Sequence, residues 1–379
     1  MNNTDEKTES STRLADWFSL CPVAHCVLCV SLVLIGMHLA LRGDTALMTR
    51  ISREIIRPTH AFLAQLTGYT SVSIAELLIV LAVALLLLRV ALSLMRLICG
   101  RGSLRGVYRL AVFLVSVICA VYAGYSLLWG TYYYGDDFLV QSGLRKDPVS
   151  TEQLEVVTRY FADEANALVD SVPRDEVGLY RCDRAGILAR SYTLFDATVG
   201  EYPCLTGPRV SAKGVKLSRA LGYLDFTGFL FPFTGEANVN TDFPSALFAS
   251  TVAHELSHQR GVAKEQEANF VAVLASMRTE DSDYRYSAAL LAYTHLGNAL
   301  YSADYAAWER VYTSLDERVR IDLSANNAYW RQFDTPVQTV SNTVYDGFLK
   351  SYDQNLGMKS YGACVDLLVN YYYPMICQE

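Results

Sequence analysis

The sequence has few of the features that accompany binding of nucleotides or nucleic acids. It contains no phosphate-binding glycine loop, no internal repeat and no low-complexity segment. Its 32 Lys and Arg residues are outnumbered by 39 Asp and Glu residues, and no basic run follows residue 110, so nucleic acid is not an expected partner. Histidine is also scarce, with six in 379 residues, yet two of the six lie four positions apart.

Those two histidines belong to the motif His254-Glu255-Leu-Ser-His258. Residues four positions apart share one face of a helix, so both imidazoles can point at one metal ion. Apolar residues at helical spacing precede the motif, and Gly261 follows it where a chain commonly leaves a helix. The pattern predicts a metal-binding helix, and the competing interpretation is a solvent-exposed helix with two incidental histidines.

The chemistry that suits this motif is zinc-assisted hydrolysis. Zinc brings the pKa of its water to about 7, so hydroxide is available near neutral pH. Glu255 stands beside the histidines, where its carboxylate can take the proton from that water and later pass it to the leaving group. Glu255 is therefore the predicted general base.

The third metal ligand has two candidates. Lys264 stands where metzincins have their third histidine, and a lysine would have to lose its proton to bind zinc. A glutamate from the next helix is the other common solution, and Glu265 and Glu267 open that predicted helix. We favour Glu265, because Asn269 lies one turn further on and could orient a ligand. Glu267 stays the alternative, and either acid could be there only because helix N-termini favour negative charge.

The first third of the chain contains three long apolar runs, at about 17–41, 74–98 and 110–134. Each meets the length of about 20 residues that is needed to cross the hydrocarbon core of a membrane. We predict three transmembrane helices, and the alternatives are buried helices of a soluble protein and, for the first run, a signal peptide.

These runs divide the chain into three parts. We expect a disordered tail at 1–15, a membrane domain at 16–135 and a catalytic domain at 136–379. The link between the second and third runs carries Arg101, Arg105 and Arg109, which indicates a cytoplasmic link and an extracytoplasmic catalytic domain. Arginines in the preceding link point the other way.

Four of the nine cysteines lie in the predicted catalytic domain, at Cys182, Cys204, Cys364 and Cys377. An even number outside the cell is typical of disulfide bonding, so two disulfides are expected, with the pairing open.

Residues 215–240 are the most strand-like part of the chain, with aromatic residues, Thr and frequent Gly. Metallopeptidases with this motif commonly place a strand edge beside the metal, where an extended peptide can pair with it. Asn238 and Asn240 alternate around Val239 and would share one face, so they are candidates to bind a peptide backbone. The alternative is that they are strand-end asparagines. Tyr293 and His295 are further candidates, as donors to an oxyanion.

Three segments together resemble a family of bacterial proteins known as domain of unknown function 3810. They are 129–133 (Trp-Gly-x-x-Tyr), 232–240 (Pro-Phe-Thr-Gly-Glu-Ala-Asn-Val-Asn) and 254–270 (His-Glu-Leu-Ser-His-Gln-Arg-Gly-Val-Ala-Lys-Glu-x-Glu-Ala-Asn-Phe). The resemblance implies a protein anchored in the bacterial membrane, with a zincin-like fold and a metallopeptidase centre at His254, Glu255, His258 and an acid of the following helix. It implies no particular substrate.

The expected fold is mainly α: three N-terminal transmembrane helices, then a zincin-like α+β domain with a small sheet. The expected function is a membrane-anchored zinc metallopeptidase of the gluzincin type, acting on a peptide or protein. The alternative is a non-catalytic, zinc-stabilised membrane sensor that binds a peptide or cell-wall fragment. The intact Glu255 favours the enzyme, since a structural zinc site needs no base.

Overall fold

The structure is a computed structural model that describes residues 17–101, 103–352 and 361–378, so the tail expected at 1–15 lies outside the described residues. It is mainly helical, with a small three-stranded sheet. The helices are α1 (Pro22–Leu41), α2 (Thr45–Ile51), α3 (Arg57–Thr67), α4 (Ile74–Ile98), α5 (Leu104–Leu128), α6 (Phe138–Ser142), α7 (Thr151–Leu168), α8 (Arg184–Arg190), α9 (Ser218–Tyr223), α10 (Phe248–Gln259), α11 (Glu265–Met277), α12 (Ser282–Ala303), α13 (Tyr305–Ser314), α14 (Glu317–Arg331), α15 (Pro336–Ser351) and α16 (Tyr361–Ile376). The strands are β1 (Lys213–Val215), β2 (Gly228–Phe231) and β3 (Glu236–Asn240).

Three helices, α1, α4 and α5, are long and apolar enough to cross a membrane. The second agrees with its predicted bounds, whereas the third begins at Leu104 and ends at Leu128, about one and a half turns earlier than predicted. The reason is a cap: the hydroxyl of Ser103 accepts a hydrogen bond from the backbone of Gly106 at 3.2 Å and starts the helix before the apolar run begins.

One end of the three candidate spans adjoins the rest of the protein. Just after α1, Arg42 donates a hydrogen bond to the hydroxyl of Tyr134 at 2.8 Å. In the first turn of α4, the backbone N–H of Ala75 donates to the carboxylate of Glu236 at 2.6 Å. Residues 42–73 and the chain after α5 therefore lie at the same end of the spans, as three consecutive crossings require. Which side of the membrane this is stays a prediction.

The sheet has the order β1-β3-β2, with β1 parallel and β2 antiparallel to the central strand β3. A buried ion pair between Lys213 of β1 and Glu236 of β3 joins the two strands. Lys213 also donates to the backbone carbonyl of Thr67 at 2.7 Å, while Glu236 receives the first N–H groups of α4. The sheet is thereby fixed to the domain end of a candidate span.

The main hydrophobic core lies among α7, α10, α11, α12 and α16. A capping box is present at the start of α7, where Ser150 and Gln153 exchange hydrogen bonds between side chain and backbone. Phe161, Phe248 and Phe270 are fully buried between these helices. The core encloses α10 almost completely, and this rigid packing positions the motif.

The expected pair of disulfides is not present: Cys182, Cys204, Cys364 and Cys377 are all free thiols. A disulfide needs Cα atoms within about 7 Å. Cys364 is fully buried near the start of α16, and Cys377 is exposed just after its end, about 20 Å further along the helix. Packing of the helices, rather than cross-linking, holds this part of the chain.

Candidate metal centre

The motif residues His254, Glu255 and His258 lie on α10, which is buried along nearly its whole length. Glu255 is 3% exposed and His258 is 7% exposed. Polar side chains that are buried this deeply require partners or a function, because removing them from water is costly. The competing interpretation of a solvent-exposed helix is therefore wrong.

The end of α10 fixes the orientation of one histidine. Gly261 has φ +86°, and its N–H donates to the carbonyl of His258 at 2.8 Å, while Val262 N–H donates to the carbonyl of Ser257 at 3.2 Å. This pair of bonds is a Schellman motif. The reversal brings the carbonyl of Val262 to 2.7 Å from Nδ1 of His258. Since a carbonyl only accepts, Nδ1 carries a proton, and Nε2 is the ring nitrogen that remains available to a metal ion.

Glu265, the first residue of α11, faces the two histidines. Its Oε2 atom lies 3.2 Å from Nε2 of His254 and 3.7 Å from Nε2 of His258. One ligand atom from each of the three residues lies within 4.8 Å of the others, so the group could hold a metal ion. On the far side of the first ring, Nδ1 of His254 is 2.9 Å from Oδ1 of Asn269. Two oriented imidazoles and a carboxylate are a donor set that suits zinc.

The charges of Glu265 and His258 act strongly on each other. Burial alone would raise the pKa of Glu265, but His258 and His254 outweigh it and hold that pKa well below its ordinary value. Burial would likewise lower the pKa of His258, but the adjacent Glu265 carboxylate raises it to about 9. The carboxylate is therefore charged, and a cation would bind here by displacing a proton from the imidazole.

Glu255 faces the same space and is not a member of the ligand group. Burial raises the pKa of its carboxyl to about 7, against the opposing effect of the two histidines. Its Oε2 atom is buried without a hydrogen-bond partner in the described part of the chain. Gly228 of β2 packs against it so closely that a Cβ there would lie 2.6 Å from Oε1. A carboxylate with a free lone pair, beside a group that could hold a metal ion, is placed to accept a proton.

These groups open into a pocket of about 280 Å³. Its first wall is the end of α5 and the turn that follows, with Tyr125, Trp129 and Tyr133. Its second wall is the segment 224–230, which ends within β2, and its third wall is α15, with Tyr345 and Leu349. The first wall precedes residue 136, so the predicted boundary between a membrane domain and a catalytic domain passes through the site.

Tyr345 is a pocket residue that the sequence analysis missed. Its hydroxyl donates to Oε1 of Glu265 at 3.1 Å, across 80 positions of sequence. Neither Tyr293 nor His295, the two candidates from the sequence, lines the pocket. No spacing pattern connects Tyr345 to the motif, because α15 reaches the site only through tertiary packing.

The structure does not bring Glu267 to the histidines. Its Oε2 atom accepts a hydrogen bond from the backbone N–H of Phe138 at 2.9 Å, at the start of α6. Burial and the neighbouring Asp137 raise the pKa of Glu267 to about 7. Lys264, which stands at the third metzincin position, pairs with Asp137 instead. Of the two candidate acids, only Glu265 lies with His254 and His258.

Asn238 and Asn240 are fully buried and do not line the pocket. Asn238 accepts a hydrogen bond from the hydroxyl of Ser73 at 2.6 Å, just before α4. Asn240 donates to the carbonyl of Phe226 at 3.1 Å. The substrate-binding role expected of these amides does not agree with their contacts, which fix the central strand. The strand that lines the pocket is the neighbouring β2.

Comparison with known proteins gives one match. A family model described as a protein of unknown function (DUF3810) matches residues 52–369. No curated protein and no solved structure matches the chain. The matched region begins after α1 and includes every residue of the metal group and of the pocket described above.

Proposed function

The chain belongs to the DUF3810 family, and from its site we propose that it is a membrane-anchored, zinc-dependent metallopeptidase. One observation carries the proposal: His254, His258 and Glu265 come together beside the Glu255 carboxylate, one oxygen of which is buried and unpartnered. A site that only stabilises the fold has no use for that fourth group, whereas hydrolysis requires a base.

In this proposal, zinc is held by Nε2 of His254, Nε2 of His258 and a carboxylate oxygen of Glu265. Three protein ligands leave a position open, as catalytic zinc sites require. When bound, zinc supplies Lewis acidity, which polarises a carbonyl group and makes water nucleophilic near neutral pH. The protein's own contribution is to fix both ring tautomers through Asn269 and Val262, so that both Nε2 atoms face the ion.

Glu255 acts as the general base and then as the acid that protonates the leaving amine. Its pKa of about 7 is near the operating pH, where a group can both accept and return a proton. Contact with Gly228 of β2 holds the carboxylate at the pocket wall.

Tyr345 positions Glu265. Burial, together with the nearby Glu265 carboxylate, raises the pKa of the Tyr345 phenol well above its ordinary value, so it stays protonated. A protonated phenol can only donate to the carboxylate oxygen at 3.1 Å, which leaves Oε2 of Glu265 directed at the histidines.

A peptide substrate would bind along the free edge of β2. The backbone N–H of Asn240 donates to the carbonyl of Thr227 at 2.9 Å, which makes this a hydrogen-bonded pair of the antiparallel ladder. Alternation along the ladder then directs the backbone groups of Gly228 and Leu230 away from β3. Both residues line the pocket, so an extended peptide that pairs with them would pass Glu255 and the metal group.

The proposal is tested with the full-length protein in lipid nanodiscs, loaded with zinc and incubated with a library of proteome-derived peptides. New peptide termini are identified by mass spectrometry. We expect the wild type to cleave a subset of peptides and Glu255→Gln to cleave none while it retains its zinc. Glu317→Gln, at an exposed position, is the matched control and should behave as the wild type.

A wild-type protein that holds zinc but cleaves no more than Glu255→Gln would contradict the peptidase. That result would support the alternative, a zinc-stabilised membrane protein that binds peptides or cell-wall fragments without hydrolysing them.

A further inference from the structure

An apolar groove lies next to the metal pocket. Leu224 and Phe226 form one wall, and Val337, Val340 and Val344 of α15 form the other. The groove has a volume of about 680 Å³, and almost all of its surface is apolar. We call it the α15 groove. It shares Leu224 and Phe226 with the metal pocket, so the two spaces are neighbours.

The three valines form an exposed stripe on α15. They are spaced at i, i+3 and i+7, which places them on one face of the helix. Val337 is 55% exposed, Val340 63% and Val344 66%. Single exposed apolar residues are ordinary, but a contiguous stripe beside an apolar loop marks a surface that binds something. The charged residues Asp346 and Lys350 lie on a different side of the helix and pair with each other.

The C-terminal end of α15 is fixed to a candidate span. The hydroxyl of Tyr352, one residue after the helix, is 2.9 Å from the hydroxyl of Ser126. Its ring centroid lies 6.2 Å from that of Tyr122 and 5.6 Å from that of Tyr125. All three partners belong to the last two turns of α5. This end of α15 is therefore level with the end of a helix that is apolar enough to cross a membrane.

The loop wall of the groove is fixed to a second candidate span. Glu76, in the first turn of α4, accepts hydrogen bonds from the backbone of Lys216 at 2.9 Å and of Leu217 at 2.7 Å. The loop continues from there through α9 to Leu224 and Phe226. Both walls thus begin at the domain end of a candidate span, which is the level at which a membrane-spanning helix passes from lipid to water.

We propose that the α15 groove lies at the membrane surface and holds acyl chains of the bilayer lipids. A helix that lies in the plane of the membrane–water interface has one apolar and one polar face. The valines form the apolar face of α15, and Asp346 and Lys350 lie on its polar face. Lipid is the occupant that the contacts with α4 and α5 indicate, because whatever surrounds those spans also reaches the groove. The metal pocket then opens at the level of the lipid head groups.

The test is site-specific photo-crosslinking of the full-length protein in nanodiscs of phosphatidylethanolamine and phosphatidylglycerol. The photoreactive residue p-benzoylphenylalanine replaces Val340 in one sample and Val344 in another, and intact-mass spectrometry follows irradiation. We expect both proteins to gain the mass of one phospholipid. Either position alone suffices should the other substitution prevent folding.

Two further positions calibrate the measurement. Leu81, 55% exposed in α4, is the positive control. Val177, 74% exposed, is the negative control. A Cβ at its neighbour Gly178 would lie 3.7 Å from the side chain of Arg318, which places Val177 near the start of α14. The groove follows the other end of that helix, about 20 Å further along. Phospholipid adducts at Leu81 but no more at Val340 and Val344 than at Val177 would overturn the proposal, as would crosslinking of both groove positions to a second copy of the chain. Neither outcome depends on the peptidase activity.

Discussion

The Nδ1 atom of His254 lies 2.9 Å from Oδ1 of Asn269, so a residue of α11 holds a ring of α10. Because an amide oxygen only accepts, Nδ1 carries the proton of the ring. The Nε2 atom then faces the carboxylate of Glu265, on the same helix as Asn269, and is the nitrogen that a metal ion would bind. One helix therefore supplies both an acid of the metal group and the group that orients a second ligand.

We predict that Asn269→Leu weakens zinc binding by about 10- to 100-fold, the usual effect of removing the partner of a metal-ligating histidine. The leucine has a similar volume but cannot accept the Nδ1 proton. Competition with a chromogenic chelator measures the affinity. Asn269→Asp keeps an acceptor oxygen and serves as the control, with zinc affinity near that of the wild type. Equal affinity in Asn269→Leu and the wild type would show that the amide does not orient the ring.

Gly228→Ala should abolish most hydrolysis and spare metal binding. The added Cβ would lie 2.6 Å from Oε1 of Glu255 and 2.8 Å from the carbonyl of Asn238, so either the base or the edge strand must move. A misplacement of about 1 Å at a catalytic group can cost on the order of 100-fold in rate. Peptide cleavage and zinc content are measured on the same preparation.

Gly200→Ala is the matched control, because a Cβ at Gly200 meets nothing within 4 Å. It should keep both activity and metal. If Gly228→Ala is as active as Gly200→Ala, the contact between β2 and Glu255 does not matter for the reaction.

The sequence allowed the metal group to be predicted because its parts are local. Helical periodicity places His254 and His258 on one face, and the turn at Gly261 sets α11 directly after α10, which brings its first residue, Glu265, near them. The partner of Asn269 was harder to foresee. The spacing within α11 indicated that Asn269 orients Glu265. In the structure, the packing of α10 against α11 places the amide oxygen of Asn269 at Nδ1 of His254.

The other walls of the pocket could not be predicted from sequence. Tyr345 reaches Glu265 across 80 positions, and neither periodicity nor a motif indicates such a contact. The alternation of residues around Asn238 is typical of a strand that binds substrate. Asn238 lies instead on the central strand of the sheet, and its amide oxygen accepts a hydrogen bond from Ser73. The order of strands within a sheet depends on tertiary packing, which a five-residue pattern does not record.

Hydropathy identified the three candidate spans, because each is one continuous helix of 20 or 25 mostly apolar residues. It misplaced the start of α5, where the Ser103 cap and two arginines precede the apolar run. The disulfides were predicted wrongly because the number of cysteines does not show which of them lie close together, and a disulfide requires two Cα atoms within about 7 Å.

Glu236→Gln should destabilise the protein by about 3 kcal/mol or more, the typical cost of removing one partner of a buried ion pair. Lys213 would keep its charge without a counterion, and the first turn of α4 would lose a charged acceptor. Denaturant-induced unfolding in mild detergent measures the loss. The double variant Lys213→Met/Glu236→Gln removes the stranded charge as well and should be less destabilised than the sum of the single changes. Additive effects would mean that the two side chains do not interact energetically.

The contribution of His60 to the stability of the protein should be lost between pH 6.5 and pH 4. Burial lowers the pKa of His60 to about 4, against an ordinary value of 6.5. Because its pKa is lowered in the folded state, neutral His60 favours the folded protein above pH 6.5. This contribution, about 3 kcal/mol in all, is lost as the pH falls through 4. His60→Phe keeps a ring against Trp129 and Tyr132 but cannot titrate.

Midpoints of thermal unfolding at several pH values from 7.5 to 4 test this. The wild type should lose more stability than His60→Phe as the pH falls, because the other buried groups, such as His295, whose pKa burial also lowers to about 4, act equally in both proteins. Parallel profiles would show that His60 does not resist protonation in the folded state.

The most direct test of the central claim is the zinc content of the full-length protein and of two substitutions two residues apart. Glu265 faces His254 and His258, whereas Glu267 caps α6 through Phe138. Each is replaced by Gln, which conserves size and an acceptor oxygen, and zinc per chain is measured by inductively coupled plasma mass spectrometry. We predict stoichiometric zinc in the wild type and in Glu267→Gln, and its loss in Glu265→Gln. A folded wild-type protein without zinc, or equal zinc in all three, would contradict the metal centre proposed for this protein.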